Sequence, residues 1–299
     1  MQLRIYILLL FLIADTISMA QVLFIDDTLK IGEVMVKPSL PEGAAGYKQL
    51  KIESELLQNI AGESIAYLLR NNSSLYIKNY GAGGLATSSF RGMGANHTEI
   101  LWEGQRINSP MLGTTDFATI PTFFIDRVDV FYGGNPGLFG NRGPGGAISF
   151  ASEVDWKERF KVAYMQDIGS FSTYCEGLKL SLGSVNFQYR LKAYNRSAAN
   201  DFKYFDYTSG EEIELYRSNS EEKSQGVLQE IYLKSKESIV SAKIWYSGTD
   251  RHLPGSIYVS QTEGNETQYD ESLRGIVKYQ LYKDNFSLEA NTVYFSDWL

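Results

Sequence analysis

From Arg159 onwards the chain alternates. Val185, Phe187, Tyr189, Leu191 and Ala193 are apolar, and Asn186, Gln188, Arg190 and Lys192 between them are polar. Successive side chains of a strand point to opposite sides, so period two gives one greasy face and one wet face. Similar runs occur near 159–168, 172–183, 226–236, 238–248, 272–283 and 285–296, which with the first makes seven. Each is about ten residues or slightly longer, the length of a tilted strand that crosses a bilayer. The joints between them are uneven. Gly183-Ser184, Lys236-Glu237 and Asp284-Asn285 are tight, whereas 197–222 and 249–270 are long and polar. Short joints on one side and long ones on the other are the pattern of an outer-membrane barrel. A soluble β-sandwich also alternates, but strands of this length and this regular asymmetry disfavour it.

The stretch from Ser88 to Phe150 is built differently. Two strand-like runs, Ile100-Leu101-Trp102 and Val128-Asp129-Val130-Phe131-Tyr132, lie among glycine-dense turns, and seven of the fourteen residues from Gly133 to Gly146 are Gly. Glycine at this density means a backbone that visits positive φ or is approached closely by another surface. A flexible linker is also glycine-rich, but it needs no Pro136, Leu138, Phe139 or Pro144. Ahead of this stretch, Ile65, Leu68 and Leu69 lie one turn apart on one face of the second of two short helices, and Leu75–Tyr80 alternates as a strand.

Three sets of residues between Phe90 and Ile148 carry a family likeness: Phe90-Arg91-Gly92; Leu101-Trp102-Glu103-Gly104; and Ile125-Asp126-Arg127-Val128-Asp129-Val130 with Gly133-Gly134, Leu138-Phe139-Gly140 and Gly145-Gly146-Ala147-Ile148 after it. In this order the stretch resembles the plug domain of TonB-dependent outer-membrane receptors. The resemblance implies an α+β plug domain over 47–152, followed over 153–299 by antiparallel transmembrane strands, about seven of the roughly 22 that surround a plugged lumen. An open sheet edge in lipid leaves backbone groups unsatisfied, so the expectation is the N-terminal part of a longer receptor.

The N-terminus reads as a secretory signal peptide over 1–20: Arg4, then apolar Ile5–Ile13, then Ser18-Met19-Ala20 before a cut at Gln21. The apolar core is too short to span a bilayer as a helix. Over 21–46 a short aliphatic segment runs into a linker. The resemblance implies a Ton box here, placed at Ile31, Gly32, Glu33, Val34, Met35 and Val36, which adds as a strand to the edge of the periplasmic protein TonB. A first plug strand or a disordered tail fits the same residues.

The resemblance further implies that two plug loops rise towards the outside and touch the substrate, through Tyr80, Gly81 and Gly83 in one and Ser109, Met111, Thr114 and Asp116 in the other. The residues alone also fit solvated turns. Arg91 and Arg127 are expected at the plug–barrel interface, where a planar guanidinium pairs a carboxylate at two points. Asp129 and Arg127 fall on one strand face and are expected to pair there or with the barrel wall.

No catalytic constellation is visible. Gly133–Gly146 lacks the Gly-Lys-Ser/Thr ending of a phosphate-cradling loop. His97 and His252 stand apart from any ligand cluster, and Ser89 and Ser109 have no Gly-x-Ser-x-Gly context. A net charge of −7 argues against nucleic acid. The lone Cys175 excludes an internal disulfide and reads as an inert strand residue. Twenty Tyr and sixteen Phe suit membrane interfaces. The expected protein is not an enzyme and needs no cofactor. It is a receptor and transporter in the cell outer membrane, whose partners are TonB, outer-membrane lipid, a scarce bulky solute and, as a further partner, a surface lipoprotein. Cobalamin, ferric siderophores, haem and oligosaccharides are the candidate solutes. A passive porin-like or adhesive barrel is the alternative, and a soluble periplasmic binding module is a third reading.

Overall fold

A computed structural model of the chain describes residues 48–81, 84–133, 145–207, 210–254, 266–283 and 285–298. The expected signal peptide and Ton-box segment lie outside the described residues.

The inner part begins with β1 (Lys48–Ile52), then α1 (Ser54–Asn59) and α2 (Ile65–Asn72). In α2 the residues Ile65, Leu68 and Leu69 are fully buried, as their spacing predicts. Ser64 caps this helix by accepting the Tyr67 amide. β2 (Tyr76–Asn79) and β3 (Ala86–Ser89) form a hairpin. β4 (Thr98–Trp102), β5 (Gln105–Arg106), β6 (Arg127–Tyr132) and β7 (Gly146–Ala151) complete a sheet in the order β1-β6-β7-β4-β5. All pairs in it are antiparallel except β4 with β7. The β4–β5 turn is Glu103-Gly104, with φ of 54° and 82°. Positive φ at both central residues is the twist that a two-residue hairpin requires.

The second part is a sheet of seven long strands. Four are β8 (Phe160–Gly169), β9 (Thr173–Gly183), β10 (Phe187–Ala198) and β13 (Glu222–Lys234). The others are β14 (Ser238–Leu253), β15 (Glu266–Lys283) and β16 (Phe286–Trp298). They run as an antiparallel meander in the order β16-β15-β14-β13-β10-β9-β8. All seven expected strands are present. Within the long joint before β13 lies a hairpin that the sequence pattern did not reveal, β11 (Lys203–Asp206) with β12 (Ile213–Tyr216). β13, β14 and β15 also run further into the long joints than the alternation indicates. Thr249, Asp250, Gln268 and Asp270 pair across β14–β15 but are polar on both faces, so the period-two signal fades there while backbone pairing continues.

The inner part packs against the wet face of this sheet. One continuous core joins Ile100, Trp102, Phe124, Val128 and Phe150 of the inner part to Cys175, Tyr194, Leu228, Trp245 and Ile276 of the strands. Val162, Leu178, Leu233 and Tyr279 point from the opposite face and are exposed. Among the described residues no helix is long and apolar enough to cross a membrane; that measure does not address strands.

Candidate functional site

Three levels of contact, ordered along the strands, hold the inner part against the sheet. The first lies towards the tight joints and is ionic. Asp126, which follows the apolar turn Thr122–Phe124, accepts hydrogen bonds from Lys192 Nζ at 2.7 Å and Arg190 Nη2 at 2.8 Å. Lys192 is 1 % exposed and donates also to the Phe124 carbonyl at 2.9 Å. Burial alone would raise the Asp126 carboxyl, but the Lys192 and Arg190 cations outweigh it and hold it well below the usual carboxylate range. Arg190 continues to the buried Glu230, and Glu230 accepts a hydrogen bond from Tyr232. Glu103, at the tip of the β4–β5 turn, receives Lys243 Nζ at 2.6 Å and the Ser152 amide at 2.7 Å on one oxygen. Its carbonyl accepts from Lys278 at 3.2 Å. A glutamate at positive φ is uncommon and costs backbone strain; here it aims one carboxylate at both layers.

The second level is aromatic. Phe123 and Phe124 meet Tyr194, and Phe124 meets Trp245. Trp245 stands edge-on to Trp102 with ring centroids 5.4 Å apart. The strands make room with glycine. A Cβ at Gly177 would lie 2.4 Å from the Phe123 ring, and one at Gly226 would lie 2.9 Å from Phe124.

The third level lies towards the long joints. Asp116 Oδ2 accepts from Arg251 Nη1 at 2.7 Å, and Arg251 Nη2 also binds Asp270. Asp116 Oδ1 accepts the amides of Ala86 and Ala118, each at 2.9 Å.

Next to this level stand the two loops expected to meet a solute. Tyr80 is exposed and Gly81 sits at φ 105°; Gly83 lies outside the described residues. The loop 109–114 is closed by Ser109 N to the Thr114 carbonyl and Gly113 N to the Ser109 carbonyl, both 2.8 Å. Asn108 holds it from below, donating to the carbonyls of Thr98 and Gly113. Its tip, Met111 and Leu112, is 90 % and 67 % exposed. Ser109 and Thr114 are half-buried, and Asp116 is committed to internal bonds.

The expected interface arginines are placed differently. Arg91 is exposed at φ 51° and, among the described residues, makes no ion pair with the seven strands. Arg127 binds Asp129 at 2.8 Å and Glu153 at 3.0 Å, so its partners lie on its own strand and in the segment that leaves the inner sheet. The interface with the described strands runs instead through inner-part acids, Glu103, Asp116 and Asp126, and wall cations. The signal for this was present: Arg190 and Lys192 share the wet face of one strand, and two such neighbours need acids opposite them.

Residues 47–147 match the family model described as the TonB-dependent Receptor Plug Domain. This stretch, about a third of the chain, is a plug domain of the TonB-dependent receptor kind. Its plug region is similar to vitamin B12 transporters named BtuB: one from Photobacterium profundum is 30% identical over 98 residues, 33% of this chain and 16% of that protein. Another from Vibrio vulnificus is 27% identical over 144 residues, 44% and 23% respectively. The chain thus spans under a quarter of the curated relatives that it matches. In fold it is similar to the siderophore receptors PiuA and PirA from Acinetobacter baumannii. Their TM-scores are 0.64 and 0.66 at 16% and 17% identity, covering 84% and 83% of this chain and 36% and 39% of theirs. The plug therefore sits against barrel-type strands, in a protein of the outer membrane.

Proposed function

We propose that this chain is part of an energy-coupled receptor that takes up a scarce bulky solute, in the class of cobalamin or a ferric siderophore. The observation that carries this reading is the plug seated on the wet face of a membrane sheet, with its two loops at the long-joint end. The plug lies over 47–152 and the barrel strands over 153–299. The rigid loop 109–114 offers Met111 and Leu112 to an incoming molecule, and Tyr80 and Leu85 are exposed on the neighbouring hairpin. Such a surface suits a solute with a large apolar or aromatic face, which cobalamin and catecholate siderophores both have. Tyr80, Gly81, Gly83, Ser109, Met111 and Thr114 are the proposed contacts.

An outer membrane holds no ATP, so concentrating the solute needs energy from elsewhere. A thousandfold gradient costs roughly 4 kcal/mol, and one charge crossing 100 mV supplies roughly 2.3 kcal/mol; about two charges are enough. TonB, gripping Ile31–Val36 as an added strand, is the proposed link. Equilibrium binding of cyanocobalamin and of ferric enterobactin to the complete receptor tests the solute. Micromolar or tighter binding of one supports the reading, and binding of neither overturns that solute class. Val34→Pro removes a ladder donor. It is expected to abolish uptake of the bound solute while leaving binding unchanged; unaltered uptake would remove the Ton box from this segment.

A further inference from the structure

We propose that Asp116 and Arg251 form a positioning latch between barrel and plug, in which Arg251 fixes Asp116 and Asp116 fixes both solute-facing loops at once. The inference rests on the receptor reading for its purpose, though not for its geometry. Asp116 was an expected solute contact, but its two oxygens are already taken. One receives the amide of Ala86, where β3 leaves the hairpin tip, and the amide of Ala118, in the turn that follows loop 109–114. The other receives Arg251, 135 residues away in β14.

The loop 109–114 therefore hangs between two side-chain anchors. Asn108 ties it to the plug's own β4 strand, through the Ile100 amide and the Thr98 carbonyl. Among the described residues, Asp116 is the side chain that ties it to the wall. Met111 and Leu112 at the tip gain almost nothing from burial, so the anchors set where they stand. Arginine suits the wall side because its fork reaches Asp116 with one nitrogen and Asp270 with another. Gln268 donates to the second oxygen pair member of Asp270 at 2.9 Å and orients it. Arg251 is 2 % exposed, and charge-assisted bonds out of water are the strong ones. A displacement of β14 at its long-joint end is thus transmitted to both loops through one carboxylate, and a solute pressing on the loops pushes on the wall through the same joint.

Amide hydrogen exchange on the complete receptor in detergent tests this. In Arg251→Met the amides of Ala86 and Ala118 are expected to exchange about tenfold faster or more. Those of Val128 and Ile148, in the plug sheet, are expected to keep the parental rate. Arg251→Lys, which keeps the charge but not the fork, is expected to fall between. Parental rates at Ala86 and Ala118 in Arg251→Met, with Val128 and Ile148 still protected, overturn the latch. Should Arg251→Met lose protection throughout, Asp116→Asn decides by the same comparison, since it keeps the shape and the amide acceptor but not the ion pair. Solute binding is read separately: the latch stands or falls on exchange, and the receptor reading on cyanocobalamin and ferric enterobactin.

Discussion

In the plug, β4, β6 and β7 bury Ile100, Val128, Val130, Ile148 and Phe150 in an apolar core. In the barrel sheet the arrangement is turned round: Gln188, Lys192, Glu230 and Lys243 are buried, while Val162, Leu178, Leu233 and Tyr279 stand exposed. The two sheets obey one rule in two solvents. A plug strand hides its apolar side from water, whereas a barrel strand shows it to lipid and keeps its polar side for the lumen. The difference decides what holds the pieces together. Where a polar wall meets a plug, every buried charge must find a partner, because an unpaired buried charge is far costlier than a lost apolar contact.

The hardest way to break this arrangement is to remove Asp126. Asp126→Ala leaves the buried Lys192 without its acid and Arg190 with Glu230 alone, and is expected to destabilise the plug by about 3–5 kcal/mol. Urea unfolding in detergent measures it, with Trp102 and Trp245 fluorescence as the reporter, since both indoles are buried at the junction. The pH dependence has a fixed sign. The folded-state carboxyl is held below its ordinary value, so its contribution is complete above the unfolded value of about 3.9. It is lost as pH falls below that towards the folded value. Asp126→Asn should therefore flatten the acid limb of the stability curve; an unchanged limb would mean that the Lys192 and Arg190 contacts carry no net charge stabilisation.

A smaller effect separates the two faces of one strand. Lys179 faces the plug, its ammonium 4.6 Å from the centre of the Phe123 ring. Leu178, one residue away, faces the other side and is exposed. Leu178→Lys puts on the lipid face the side chain that its neighbour carries on the wet face. The expected cost is about 2–4 kcal/mol near the membrane midplane, read as the folded fraction of the complete receptor in lipid vesicles. A neutral result would remove the assignment of this face to lipid.

The two faces also show what the sequence made legible. Alternation from 159 to 296 revealed all seven wall strands, because greasy and wet positions repeat wherever lipid lies on one side. It did not reveal the outer ends of β14 and β15, where Thr249, Asp250, Gln268 and Asp270 put polar side chains on both faces and the period-two signal fades. Nor did it reveal the β11–β12 hairpin, whose four-residue strands are too short for a period. In the site, the pairing of Arg127 with Asp129 was readable, since the two residues share a strand face. Asp126 was not readable as the main anchor, because its partner Lys192 lies 66 residues away and no local spacing connects them. Glu103 was visible as a turn residue in Trp102-Glu103-Gly104, but its reach to Lys243 depends on how the turn is seated. Asp116 looked available to a solute because its partner Arg251 lies 135 residues away, beyond any local spacing.

The smallest test concerns shape alone. Phe123 packs where Gly177 leaves the wall bare, and a Cβ there would lie 2.4 Å from the ring. Gly177→Ala changes no charge and no hydrogen bond, so its cost reports overpacking, about 1–3 kcal/mol. A glycine in a strand is otherwise a weakness, and alanine at an unconstrained site would stabilise. The sign of the change therefore distinguishes a fitted contact from an incidental one. The partner variant Phe123→Leu removes ring atoms from the same place. If the contact is direct, the two changes together should cost less than the sum of their separate costs, with a coupling of about 0.5–3 kcal/mol. Strict additivity would mean that Phe123 does not rest on Gly177, and that the aromatic level holds plug to wall without the glycine gaps.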